Sequence, residues 1–250
     1  MTHPPLPSAP ALFLDIDGTL VELQDSPEQV AVDRDLLALL PPLFAACGGA
    51  LALVSGRPVS GIDDLFAPLK LPAAGQHGVE RRDAAGETHF HAGCGIQLDA
   101  LRRRAAALAQ RHPELLVEDK GASVAVHFRR APHLAGEVRA CLEEWLEEAA
   151  DFKLQGGKMV LEAKPAGRDK GTALLEFMAE APFLGRLPVF LGDDVTDEYG
   201  FQAVNRLGGL AIKVGEGPSV APWRLPDVAA VHAWLGELAS PTRLTGSRLL

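Results

Sequence analysis

The sequence predicts an α/β fold in which a parallel sheet core begins near the start of the chain, is interrupted by a smaller α+β domain, and is then completed. Three observations predict it. Short apolar runs at Ala11 to Leu14, Ala50 to Val54, Pro188 to Leu191 and Leu210 to Val214 have the length and composition of strands buried on both faces. Helical patterns separate these runs, as parallel connections require. From about Ala92 to Ala163 the alternation gives way to an α-β-α-β-β pattern, and it resumes with a helix at Lys170.

In chain order, residues 1–10 are Pro-rich and expected to be a disordered tail. The first strand ends at Asp15-Ile16-Asp17-Gly18, where the glycine lets the backbone turn away. A Pro-containing link leads to a helical pattern from about Asp33, with an interruption expected at Pro41-Pro42. The second strand ends at Ser55-Gly56-Arg57. A short helix near Val59 to Phe66 follows, then Gly75-Gln76-His77-Gly78 and a hairpin whose turn contains Asp83 to Gly86. The middle of the chain reads as helix Leu98 to His112, strand Ala122 to Arg129, helix Leu134 to Ala150, and a hairpin turning at Gly156-Gly157. After helix Lys170 to Glu180 come a strand, helix Asp197 to Asn205, another strand and a last helix Val228 to Leu238. The expected division is a core of 11–91 and 164–250 and an inserted domain of 92–163.

Composition narrows the function classes. With 47% apolar residues in 250, the chain can bury one large core and a smaller one. A net charge of -9 with both signs interspersed argues against nucleic acid and for a small anion met by local positive groups. Cys47, Cys94 and Cys141 lack C-x-x-C spacing, which argues against a disulfide framework or structural zinc and suits a reducing cytoplasm. No stretch approaches about 18 uninterrupted apolar residues, and Met1 to Pro10 lacks signal-peptide regions. A cytoplasmic protein with no membrane partner is expected; the sequence leaves the oligomeric state open, with a monomer favoured.

The chemistry gathers at strand ends. Two carboxylates directly after a buried strand, Asp15 and Asp17, emerge where open α/β sheets place ligands, and they repel each other unless a divalent cation holds both ionised. An EF-hand reading fails, because Leu20 and Ser26 stand where its glycine and glutamate belong, while a strand-end cap at Asp15 with a turn at Asp17-Gly18 stays open for this segment alone. Ser55 offers a hydroxyl and an N–H to a phosphate oxygen, although a helix-adjacent cap has the same composition. Lys170 opens a helix, where a cation opposes the macrodipole unless an anion is near, although a solvent-exposed lysine would fit the same place. In Gly192-Asp193-Asp194-Val195-Thr196-Asp197-Glu198, helix capping accounts for Asp197 and Glu198 but not for Asp193 and Asp194. His89, His91 and Cys94 lack a fourth ligand, so a metal site there is set aside.

With the aspartate pair, the serine, the lysine and the acidic cluster in this order, the chain resembles the haloacid dehalogenase superfamily of phosphatases. That resemblance implies a Rossmann-like parallel sheet with an inserted cap, Asp15 as the nucleophile, and Asp17 as general acid and then base. It implies that Ser55 and Lys170 hold the phosphoryl group. Mg2+ would be held by Asp15, the backbone carbonyl of Asp17, and Asp193, with Asp194 and Asp197 in support. Within the superfamily the chain is most similar to the trehalose-6-phosphate phosphatases. The similarity rests on Phe13 to Leu20, Ala52 to Arg57, Gly75 to Arg82, His127-Phe128-Arg129, Gly156 to Glu162 and Gly192 to Glu198. The family inserts its cap between the second and third catalytic motifs.

Alternation in Lys158 to Lys164 places Lys158, Val160, Glu162 and Lys164 on one face, and in Ser123 to Arg129 it places His127 with Arg129. A solvated sheet face shows the same alternation; the resemblance implies that Arg129, Lys158 and Glu162 are sugar ligands. Arg57, Gln76, His77 and Gly78 complete the expected substrate-binding set, with His77 open to a structural role and Arg57 to pairing with a surface carboxylate. The expected reaction is Mg2+-dependent hydrolysis of trehalose 6-phosphate through an aspartyl-phosphate, the last step of trehalose biosynthesis. Two rivals stand beside it: a phosphatase for another sugar phosphate, and a noncatalytic sugar-phosphate-binding partner of a synthase.

Overall fold

Each apolar run is placed where water cannot reach it, and the order of the strands follows from that. The computed structural model describes residues 3–24, 29–90 and 95–240. The chain forms β1 (Ala11–Leu14), α1 (Arg34–Ala46), β2 (Leu51–Val54), α2 (Val59–Leu65), β3 (Ala73–Gly75), β4 (Glu80–Arg82) and β5 (Thr88–Phe90). It continues with α3 (Gly95–Arg111), β6 (Leu116–Asp119), β7 (Val124–His127), α4 (Ala135–Glu147), β8 (Phe152–Gly157) and β9 (Val160–Pro165). Last come α5 (Lys170–Met178), β10 (Pro188–Gly192), α6 (Asp197–Arg206), β11 (Leu210–Val214), β12 (Trp223–Leu225) and α7 (Val228–Ala239). Two units result, Met1–His89 with Asp169–Leu250, and Phe90–Arg168. The sequence places the breaks at 91/92 and 163/164 instead.

In the first unit the described strands run in the order β12-β11-β10-β1-β2-β3-β4-β5. Neighbours from β12 through to β3 are parallel, and β4 is antiparallel to β3. From β1 the chain proceeds outward to β2 on one side and, much later, to β10 on the other. The crevice at the carboxyl ends of β1 and β10 is therefore a switch point, the place where such sheets bind ligands. Leu12, Leu14, Leu51 and Leu53 face a layer built by α1, α2 and α7, while Phe13, Ala52 and Phe190 face α5 and α6. Phe13, Phe177 and Phe183 cluster in that second layer, with centroids 5.0 to 5.9 Å apart.

The prolines of α1 do not interrupt it. Pro41 and Pro42 lie inside one continuous helix with their rings exposed, while Leu36, Leu40 and Leu43 are buried on the other side and hold it to the sheet. At the N-terminal side, the Trp234 indole N–H donates to the Pro4 carbonyl at 3.2 Å, so residue 4 has a buried partner in α7.

The second unit is a four-stranded antiparallel sheet, order β6-β7-β9-β8 among the described residues, with α3 and α4 packed on one face. Strand β6 escapes the sequence pattern because it is a short edge strand whose residues are all at least partly exposed. Gly156 and Gly157 belong to β8 rather than to the turn. The pairing of Gly157 with Val160 leaves Lys158 and Met159 as the two-residue turn, with Met159 at φ +61°. Among the described residues, no helix is long and apolar enough to cross a membrane.

Candidate active site

Strand β1 delivers Asp15 to the switch point, and the parallel register of β1 with β10 brings Asp193 beside it. Asp15 is buried; its Oδ1 accepts from Lys170 Nζ at 2.7 Å and its Oδ2 from Thr19 Oγ1 at 3.1 Å. Lys170 is the first residue of α5, a helix capped by Asp169, whose side chain accepts from the Thr172 N–H at 2.8 Å while Thr172 Oγ1 accepts from the Asp169 N–H at 3.1 Å. The same ammonium donates to Asp197 Oδ1 at 2.7 Å. Asp197 opens α6, is completely buried, and with Oδ2 accepts from the N–H groups of Asp193 and Asp194, both at 2.9 Å. Its carboxylate is thereby occupied in shaping the loop. Asp194 is exposed and turns back to accept from Thr196 N and Oγ1, both at 2.6 Å.

The charge balance is lopsided. Burial, opposed by Lys170, pushes the Asp15 carboxyl up to about 7; burial and repulsion from Asp15 push Asp197 to about 7. Asp193 rises to about 6 through burial and the charges of Asp197 and Asp194. Despite its burial, Lys170 is held protonated by Asp15 and Asp197. Among the described residues, Asp15, Asp193 and Asp197 each present an oxygen within 4.8 Å of the others. These are hard oxygen donors with more negative charge than one ammonium offsets, a set that fits a divalent cation such as Mg2+. Gly18 supports that fit. At φ +83°, it leaves space that the Asp193 carboxylate fills, and a Cβ there would stand 2.2 Å from Asp193 Oδ2.

Asp17 is placed differently from Asp15. Its two oxygens accept a fork from Arg57, Nη2 to Oδ1 at 2.7 Å and Nε to Oδ2 at 2.8 Å. The sequence offers Arg57 either the substrate or a surface carboxylate; the carboxylate it meets is instead Asp17, a residue of the site itself. Ser55 is buried at the end of β2, with Oγ accepting from the Arg57 N–H at 3.1 Å.

Gln76 and His77 occupy the left-handed region at φ +49° and +56°, followed by Gly78 at +93°. Such strain in non-glycine residues persists only where the surroundings enforce it. Here the His77 N–H donates to Ser55 O at 3.0 Å and the Gln76 N–H to Arg57 O at 2.9 Å. Glu80, buried on β4, accepts from Gln76 Nε2 at 3.1 Å and from the Val59 N–H that opens α2 at 2.6 Å. A Cβ on Gly78 would meet Asp169 O at 2.9 Å. The loop thus braces both the Ser55 turn and the start of the Lys170 helix.

In the second unit, the face of the sheet turned away from α3 and α4 carries Glu162. It is buried, accepting from Ser123 Oγ at 2.6 Å and Lys120 Nζ at 3.1 Å. Arg129 lies exposed in the turn after β7, and Lys158 lies exposed in the β8–β9 turn rather than in a strand. His89 Nε2 lies 2.8 Å from Asp83 Oδ2, while His91 and Cys94 fall outside the described residues.

The trehalose-phosphatase family model matches residues 13–229, a span that includes every one of these groups. The chain belongs to the trehalose-phosphatase family. This is a family of phosphoric monoester hydrolases. The trehalose-6-phosphate phosphatase of Escherichia coli is 45% identical over 233 residues, covering 93% of this chain and 87% of that one. A probable trehalose-phosphate phosphatase of Sinorhizobium fredii is 44% identical over 231 residues, covering 92% and 86%. A solved structure described as a trehalose-6-phosphate phosphatase related protein has a TM-score of 0.79 at 27% identity, covering 94% of this chain and 99% of that one. A phosphatase of the HAD superfamily from Bacteroides thetaiotaomicron, at 14% identity, TM-score 0.60 and coverage of 89% and 91%, shows the fold alone.

Sequence reading missed Lys120 and Glu80, and it did not connect Arg57 with Asp17. Lys120 had no signal beyond being one more charge before a strand. For Glu80 and Arg57 the partners lie 21 and 40 residues away, a pairing that needs the fold.

Proposed function

We propose that the protein hydrolyses trehalose 6-phosphate to trehalose and phosphate, with Asp15 as the nucleophile. One observation carries the reading: a buried Asp15, held by Lys170, stands among acidic oxygens from a neighbouring strand end at the sheet's switch point. In the first step a carboxylate oxygen of Asp15 attacks phosphorus, the bond from phosphorus to the sugar oxygen breaks, and Asp17 gives that oxygen its proton. In the second step Asp17 takes a proton from water, the water oxygen attacks phosphorus, and the bond to Asp15 breaks, releasing phosphate and restoring the carboxylate. Asp15, the Asp17 carbonyl and Asp193 are assigned to Mg2+, which when bound neutralises charge on the phosphoryl oxygens. Ser55 and Lys170 orient the phosphoryl group.

The fork from Arg57 takes one lone pair on each Asp17 oxygen and ties the carboxylate to the guanidinium. Arg57 is therefore assigned a transfer of its donors to the arriving phosphate, which frees Asp17 for proton work. Gln76, His77 and Gly78 hold the Ser55 loop in place. Arg129, Lys158 and Glu162 of the second unit are assigned to sugar hydroxyls, as neutral polyols need paired donors and acceptors. The reading extends to a reducing cytoplasm, which the free thiols of Cys47 and Cys141 suit, and to a monomer, which light scattering would test.

A panel of sugar phosphates, assayed with and without Mg2+, tests the proposal. Phosphate release from trehalose 6-phosphate that exceeds all others and vanishes without the cation is expected. Faster release from glucose 6-phosphate would overturn the substrate assignment. No release from any of them would favour the binding-partner rival.

A further inference from the structure

Lys213 is a buried lysine for which the proposed chemistry has no use. It is 5% exposed and stands near the end of β11, where the parallel register sets it beside Gly192, the last residue of β10. Its Nζ donates to the Asp193 carbonyl and, at 2.6 Å, to the Val214 carbonyl. Among the described residues no carboxylate pairs with it. Burying an ammonium against carbonyls alone is expensive, and an apolar side chain of similar volume is often neutral or stabilising at such a place. Strand alternation turns Lys213 to the same side as Ala211, towards α6, whose first residue is Asp197.

We infer that Lys213 is a positioning residue that aims the Asp193 carboxylate at the cation. Asp193 is gripped at both backbone ends: its N–H donates to Asp197 Oδ2 at 2.9 Å and its carbonyl accepts from Lys213. These two grips set the rotation of the residue between them. That rotation matters, because the carboxylate lies in the narrow space left by the missing Cβ of Gly18. Loss of the Lys213 grip frees the carbonyl end while the Asp197 grip remains, so the carboxylate samples orientations away from the cation. Groups that orient a metal ligand from behind typically change affinity by about 10- to 100-fold when removed.

The inference rests on Asp193 being a cation ligand, so the test includes an arm for that assignment. Mn2+ binding to the metal-free full-length protein is followed by electron paramagnetic resonance for the wild type, Asp193→Asn, Lys213→Met and Lys213→Arg. Melting of each protein is recorded without metal. Expected are weakening by about 10-fold or more in Lys213→Met, recovery of most of that loss in Lys213→Arg, and an unchanged KM for the sugar phosphate at saturating Mg2+. Wild-type Mn2+ affinity in Lys213→Met, whatever its melting temperature, would overturn the inference and leave the cation site standing. A wild-type protein that binds no Mn2+, or an Asp193→Asn variant that binds it normally, overturns the ligand assignment and this inference with it. Should Lys213→Met not fold, Lys213→Gln takes its place with the same two outcomes.

Discussion

The charged groups of the two units are balanced in opposite ways. Around Asp15, the carboxylates of Asp193, Asp194 and Asp197 gather about the ammonium of Lys170, with that of Lys213 behind them on the Asp193 carbonyl, and burial pushes Asp15, Asp193 and Asp197 towards neutrality. On the polar face of the second unit, Glu162 is matched by Lys120 and Ser123, so its charge is satisfied where it stands. The first arrangement is incomplete without a cation. The second is complete and offers hydrogen bonds to a neutral group. The contrast matches the proposed division, with the cation and phosphate assigned to the first unit and the sugar hydroxyls to the second.

Breaking the unbalanced side should cost most. Asp15→Asn keeps the shape and removes the nucleophilic charge, and turnover is expected to fall by about 10^4-fold or more, measured as phosphate release under saturating Mg2+. Residual activity near the wild type would place the nucleophile elsewhere. Gly18→Ala comes next. The new methyl collides with the Asp193 carboxylate at a backbone angle that costs about 1–2 kcal/mol, so lower stability in urea melts should accompany a raised Mg2+ requirement.

Smaller, and specific to the same region, is a pH effect. Asp15, Asp193 and Asp197 sit at about 7, 6 and 7 in the metal-free fold against 3.8 for an ordinary aspartate, so the folded chain holds more protons than the unfolded one in between. The stability these groups contribute is fully present below 3.8 and is lost as pH rises through 6 to 7. The melting temperature of metal-free protein should fall between pH 5 and pH 8, and excess Mg2+ should flatten the fall; a pH-independent melt would contradict the charge imbalance. The balanced side should respond least. Glu162→Gln is expected to raise KM for trehalose 6-phosphate by about 10-fold with kcat retained, the scale of one charge-assisted hydrogen bond. An equal drop in kcat and in kcat/KM would assign Glu162 to the chemistry instead.

The imbalance was largely legible in the sequence, and the balance was not. Asp15, Asp17, Ser55, Lys170 and Asp193 each follow a short apolar strand or open a helix, so local pattern suffices to bring them to one sheet edge. What the pattern could not reveal is which of them are already engaged. The fork of Arg57 on Asp17 and the grip of Asp197 on the Asp193 and Asp194 amides depend on side-chain direction after folding. Lys120 needed the β6–β7–β9 register to meet Glu162. Local rules also misled in two places. Pro41-Pro42 signalled a helix break that buried leucines override, and Gly156-Gly157 resembled a turn whose work falls to Lys158-Met159.

The central position of β1 has a further consequence. Paired on one side with β2 and on the other with β10, its backbone amides sit in the middle of the ladder, where exchange is expected to need opening of the sheet itself. Fraying at the sheet edges leaves that ladder closed. Asp15, the proposed nucleophile, thus follows directly on a stretch expected to exchange slowly, and partial opening at the edges should pass it by.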